Sequence, residues 1–296
     1  MRVLFCVSLL VANTVAACIQ GWGNDYFEMR RSTGPEPVDY GLLRDTWHTN
    51  PENRLEEFAD WYIATMASAS DNERRWLERE HAAIRHILTG NYDEAIAMLL
   101  AMEADYPGQY AVASTLGTAY ELAGDNRRAL QWISEGMSRD PESHGGTEWL
   151  HVKILEAKIA MESDPTYLAS HPIVPYPPES EPGLMLVDGV QDDTPDAEVM
   201  DALFYQLKER MLFVKPEDPV VGDLLYSFSR LEQDRGSESG QAGLLKLARA
   251  YGHETARAEM PTLATRSMGF AQSPGFLAGL VFVGLGMVLL RKLRSW

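Results

Sequence analysis

Apolar residues recur at helical spacing through the middle of the chain. Asn50-Pro51 suits a helix start, because Asn is a good N-cap and Pro is well placed at the first helical position. After this start, and again in two later segments, apolar residues recur at the spacing of one helix face. They are Leu55, Phe58, Tyr62 and Met66 in the first segment, Leu150, Ile154 and Leu155 in the second, and Met200, Leu203, Phe204, Leu207 and Met211 in the third. This spacing predicts amphipathic helices, and we expect an all-α fold.

Two consecutive blocks of 34 residues, 76–109 and 110–143, carry related residues at matched positions. The matched pairs are Ala82 with Leu116, Ala83 with Gly117, His86 with Tyr120, Gly90 with Gly124, Asn91 with Asp125, Ala95 with Ala129, Ile96 with Leu130, Leu99 with Ile133, Met102 with Gly136 and Pro107 with Pro141. Such a period, with small residues at the eighth and twentieth places and Pro at the thirty-second, resembles the tetratricopeptide repeat (TPR). The resemblance implies an α-solenoid of stacked helical hairpins.

The repeat pattern weakens on both sides of these blocks. We predict helical repeats over 50–162 and degenerate repeats over 197–253, followed by a polar tether at 254–268. Between them, 163–196 is rich in Pro and has no helical period, which favours an extended course. Its apolar residues suggest that it packs in the groove of the solenoid; a mobile linker is the alternative.

The N-terminus has the layout of an export signal. Residues 1–17 combine Arg2 with a short apolar stretch that ends in small residues. Val15-Ala16-Ala17-Cys18 resembles a bacterial lipobox, which implies a lipid on Cys18; the alternative is ordinary cleavage after Ala17. We expect 18–49 to be extended.

The C-terminus predicts a membrane anchor. No polar or charged side chain occurs in 275–290, and 269–290 is long enough to span a bilayer. The basic tail at 291–296 would stay in the cytoplasm, which leaves the body outside it. A processed sorting tail is the alternative, because a short apolar stretch with a basic tail is also typical of those signals.

Composition narrows the function. The chain has 26 Lys and Arg against 43 Asp and Glu, a net charge of −17, which argues against nucleic acid as a partner. Its two cysteines, Cys6 and Cys18, lie near the N-terminus, so the body holds no disulfide framework or Cys-based zinc site.

Motifs for catalysis are sparse, since the chain lacks H-E-x-x-H, G-x-S-x-G and a Gly-rich phosphate loop. Two E-x-x-H pairs, Glu78 with His81 and Glu148 with His151, would be the ligands of a helical metal enzyme. In an acidic chain such pairs arise by chance, so we expect no metal, no cofactor and no enzymatic activity. Glu78 and Glu80, beside several arginines, are interpreted as a solvated helix face.

A binding surface is the remaining candidate. Stacked hairpins present a concave face contributed mainly by the first helix of each repeat. The inner positions that we expect to contact a partner are Arg85, Leu88, Thr118, Glu121 and Leu122. The sequence therefore predicts a membrane-tethered TPR adaptor that binds protein or peptide partners at a bacterial cell envelope.

Overall fold

The computed structural model describes residues 40–175 and 195–259, which divide into two compact units at Lys215 and Pro216. The α-helices of the first unit are α1 (Tyr40–His48), α2 (Leu55–Ser68), α3 (Asp71–Leu88), α4 (Tyr92–Asp105), α5 (Tyr110–Leu122), α6 (Asn126–Arg139), α7 (Glu148–Met161) and α8 (Pro195–Phe213). Short 3-10 helices occur at Pro51–Arg54, Ser143–Gly146 and Tyr167–Ala169. The second unit contains α9 (Pro219–Asp234) and α10 (Glu238–Ala250), and 254–259 is also helical.

The prediction of an all-α fold is confirmed for the described residues, which contain no strand. None of the helices among them is both long and apolar enough to cross a membrane. The predicted signal at 1–17, Cys18, the membrane segment at 269–290 and the basic tail lie outside the described residues, as do most of 18–49, part of 254–268 and 176–194 of the Pro-rich segment.

The two 34-residue blocks each contain a helix, a tight turn and a second helix. Gly90 and Gly124 occupy equivalent turns and have φ angles of 76° and 87°, a left-handed conformation that glycine adopts without a Cβ penalty. In both turns the backbone N–H of the next residue donates a hydrogen bond back to the helix. Asn91 N donates to His86 O at 2.8 Å, and Asp125 N donates to Tyr120 O at 2.9 Å. Matched glycines thus end α3 and α5 in the same way.

Small residues bring the paired helices together. A Cβ built on Gly117 of α5 would collide with the side chain of Ile133 on α6 and lie 3.1 Å from its backbone nitrogen. Ala83, Ala95 and Ala129, which hold the other small positions of the two blocks, are fully buried in the same apolar core. The core therefore runs continuously through α3, α4, α5 and α6.

Helix α8 is the last helix of the first unit and packs against the inner face of the hairpins. Phe213, near its C-terminus, packs against Ile84 and Leu88 of α3. One turn earlier, Arg210 forms an ion pair with Glu121 of α5. Helix α8 therefore lies against α3 and α5. Whether the Pro-rich segment also packs in the groove stays a prediction, because 176–194 lies outside the described residues; of the described part, Ile173 and Val174 are buried.

The second unit is a helical hairpin. Helix α9 begins with Asp218 as N-cap, whose carboxylate accepts a hydrogen bond from Val221 N at 2.8 Å. Its partner α10 ends before Tyr251, which is fully buried and whose carbonyl accepts a hydrogen bond from Asp218 N at 3.2 Å. This bond ties the start of the hairpin to its end.

Glu80 of α3 corrects one interpretation of the sequence. The residue is 4% exposed, so it does not belong to a solvated, salt-bridged face, although its neighbour Glu78 is exposed. Burial raises the pKa of the Glu80 carboxyl to about 8, because the charged form is poorly solvated there. Its charge pattern gave no sign of this, since the apolar period of α3 is what turns Glu80 inward.

We expect Glu80 to make stability fall as the pH rises from its ordinary pKa of 4.5 toward 8, because the unfolded chain then releases a proton that the folded chain keeps. Glu80→Gln cannot ionise, so its unfolding free energy relative to wild type should rise by roughly 2–4 kcal/mol between pH 5 and pH 8. Urea unfolding at both pH values measures this change. Glu78→Gln is the matched control, and an equal pH response in both variants would contradict the prediction.

Candidate functional site

A cavity of about 300 Å³ lies where α5 and α7 face α8 in the first unit. Its lining combines buried polar side chains with half-buried ones. The lining residues are Tyr92, Thr118, Glu121, Leu122, His144, Glu148, His151, Lys158, Tyr205, Gln206, Glu209, Arg210, Phe213 and Val214. A concave site with apolar walls and a few convergent polar groups is a default candidate for ligand binding.

Glu121 is the polar centre of this cavity. The residue is 7% exposed, and its Oε1 accepts a hydrogen bond from Lys158 Nζ of α7 at 2.8 Å and another from Arg210 Nη1 of α8. Its Oε2 lies 2.8 Å from Nε2 of His151, also on α7. One buried carboxylate therefore joins three helices through three charge-assisted contacts.

Electrostatics keeps this centre ionised. Burial alone would raise the pKa of Glu121, but the Arg210 guanidinium, the His151 hydrogen bond and the Lys158 ammonium hold it well below its usual range. For His151, burial acts to lower the pKa, and the hydrogen bonds to Glu121 and Glu148 outweigh it, so that the pKa is raised. The Glu121 carboxylate is thus paired with the charges of Arg210 and Lys158 and hydrogen-bonded to His151.

A second carboxylate extends the network toward the turn before α7. Glu148 pairs with His144 Nδ1 and accepts a hydrogen bond from Tyr110 OH at 3.1 Å. The pKa of Glu148 is lowered although burial opposes this, because both His144 and His151 favour its charged form. His144 has a φ of 53°, uncommon for a residue other than glycine, and its ring stacks on Tyr205 with centroids 5.0 Å apart.

The structure brings together three of the five inner positions that the sequence singled out. Thr118, Glu121 and Leu122 line the cavity. Leu88 is buried against α8, and Arg85 is exposed and does not line the cavity. The partner-binding role of all five residues stays a prediction.

The two E-x-x-H pairs do not combine into a metal centre in the described residues, where no group of three or more His, Cys, Asp or Glu side chains could hold a metal ion. His81 stacks on Tyr62 of α2, with ring centroids 3.9 Å apart. His151 faces a carboxylate from each ring nitrogen, Glu121 at 2.8 Å and Glu148 at 3.4 Å. The two carboxylates orient the imidazole, raise its pKa and face both of its ring nitrogens.

The sequence did not predict three residues of the site, which are Arg210, Gln206 and His144. The α8 residues were assigned only to a degenerate repeat, and nothing local places Arg210 against a carboxylate 89 residues away. For His144 a signal existed, because Gly145 and Gly146 follow it and mark a turn with left-handed backbone. Buried polar residues on α8, such as Gln206 and Arg210, could have been flagged as interruptions of its apolar period.

Comparison of the chain with protein-family models, with curated proteins and with solved structures gives no match.

Removal of the central charge should destabilise the first unit. Glu121→Gln leaves Arg210 buried without its anion and removes one of the two carboxylates that face His151, so we expect the unfolding free energy to fall by about 3 kcal/mol. Urea unfolding at neutral pH measures the change. The matched control is Glu135→Gln, which removes a half-exposed carboxylate paired with Arg139 and should cost about 0.5 kcal/mol or less. Equal losses in the two variants would show that the Glu121 network adds no more than a surface pair.

Proposed function

We propose that this protein is a membrane-tethered adaptor of the TPR type, which binds a segment of a protein partner at the cavity between α5, α7 and α8. The observation that carries the proposal is the cavity itself. It lies on the inner side of the helical hairpins, where predicted recognition positions Thr118, Glu121 and Leu122 meet. The matched turns at Gly90 and Gly124 support the TPR part of the proposal.

The form of the cavity suits recognition of a side chain. Its buried polar lining is fixed by ion pairs and hydrogen bonds, so it is organised before a ligand arrives. Half-buried Tyr92, Leu122 and Phe213 also line the cavity and offer apolar area to an incoming group. A site of this size accepts one anchoring side chain, the kind of contact that dominates many protein interfaces.

The tether belongs to the same proposal. The export signal, the lipid on Cys18 and the span at 269–290 would hold the body outside the cytoplasm with its C-terminal tail inside. An adaptor anchored in this way would bind its partner at the membrane surface.

A photo-crosslinking amino acid in place of Leu122 tests where the partner binds. In the intact chain in cells, we expect one reproducible protein adduct from position 122. The same amino acid in place of Ala97, which is exposed on α4 and does not line the cavity, should not give this adduct. Combining the Leu122 crosslinker with Thr118→Trp, which fills the cavity, should abolish the adduct.

Two outcomes would contradict the adaptor. One is the absence of any adduct from position 122 when the protein is present at normal level. The other is the same set of adducts from positions 122 and 97, because random collision would produce it.

A further inference from the structure

Every basic side chain that lines the cavity already contacts a carboxylate. Arg210 and Lys158 pair with Glu121, His151 lies between Glu121 and Glu148, and His144 pairs with Glu148. These basic groups therefore offer little to a negatively charged ligand, since an incoming anion would have to compete with buried internal carboxylates.

Two hydrogen-bond acceptors on α8, unlike these basic groups, have no partner in the described residues. Glu209 lines the cavity and is half-buried, and it takes part in no hydrogen bond or ion pair within residues 40–175 and 195–259. Gln206 is only 4% exposed, lines the same cavity, and its side-chain amide has no hydrogen-bond partner in that part of the chain. Because Gln206 lines the cavity, its amide carbonyl is placed to accept a hydrogen bond from a ligand.

These acceptors share a helix face with an aromatic wall. Gln206, Glu209 and Phe213 follow one another at three- and four-residue steps along α8, and residues so spaced project on the same side. Tyr92 of α4 lines the cavity too, which provides a second ring. A carboxylate, an amide carbonyl and aromatic faces in one cavity form a good environment for an organic cation.

We propose that the cavity recognises a cationic side chain, in particular a guanidinium, from a basic segment of the partner protein. The carboxylate of Glu209 pairs with the cation, the Gln206 carbonyl accepts one of its N–H groups, and the methylene stem lies along Tyr92 and Phe213. This inference rests on the proposed function. The acidity of the chain, with a net charge of −17, favours a basic partner over an acidic one and speeds their encounter.

A pair of peptides matched in shape but different in charge tests the proposal on the purified full chain. The probes are fluorescein-labelled tetra-arginine and tetra-citrulline, which differ in charge but hardly in shape, and binding is followed by fluorescence anisotropy. We expect tetra-arginine to bind at least about tenfold more tightly, and Glu209→Gln to remove about that factor, because one charge-assisted contact is lost.

Glu94→Gln is the matched control. Glu94 is exposed on α4, has no ion pair in the described residues and does not line the cavity, so its loss changes the overall charge equally. We expect less than about a twofold effect from this variant. Equal weakening by Glu94→Gln and Glu209→Gln would overturn the proposal, because the peptide would then sense only general acidity.

A third arm separates a partner's side chain from a free small cation. Agmatine, a free guanidinium compound, should compete with tetra-arginine only weakly; competition at the same concentration as unlabelled peptide would overturn the assignment to a protein segment. The crosslinking adduct from position 122 distinguishes the two proposals. If the adduct forms equally well with Glu209→Gln, the guanidinium proposal is wrong and the adaptor proposal stands. If no adduct forms even when the cavity residues are wild type, the adaptor proposal itself is wrong.

Discussion

The carboxylate of Glu121 is the constraint on which the first unit depends. It lies on the inner side of α5, is almost wholly buried, and receives His151 and Lys158 from α7 and Arg210 from α8. A charge in such a place is tolerable only when its partners are held in good geometry. The requirement therefore fixes how three helices meet, and the cavity is the space left between them.

Buried ion pairs add less to stability than their number suggests, because each charge loses its hydration. In this unit the buried ion pairs determine how the helices are arranged. An apolar α8 could slide or rotate over the groove with little loss, whereas Arg210 reaches Glu121 in only one register. With Phe213 packed against α3 one turn further along, α8 is held at two points, and Gln206 and Glu209 face the cavity as a result.

The sequence predicted the helical class and the turns well, and the site only in part. Gly90 and Gly124 identified the tight turns because glycine has a specific conformational use there, and such local chemistry can be read without a structure. The resemblance to stacked helical hairpins predicted that Thr118, Glu121 and Leu122 lie on an inner face. What periodicity could not show is that Glu121 would be neutralised by Arg210, since a contact across 89 residues depends on how the helices pack. The burial of Glu80 was missed for a different reason, because its arginine neighbours suggested a solvated face although the apolar period of α3 turns it inward.

A double-mutant cycle between Glu121→Gln and Arg210→Met tests most directly whether this ion pair holds α8 on the groove. The unfolding free energies of the wild type, both single variants and the double variant give the coupling between the two side chains. We predict a coupling of about 2 kcal/mol, with the double variant more stable than the sum of the single losses implies, because neither charge is then left alone. A coupling of about 0.3 kcal/mol or less, with additive losses, would contradict the account, because Glu121 and Arg210 would then be independent in solution.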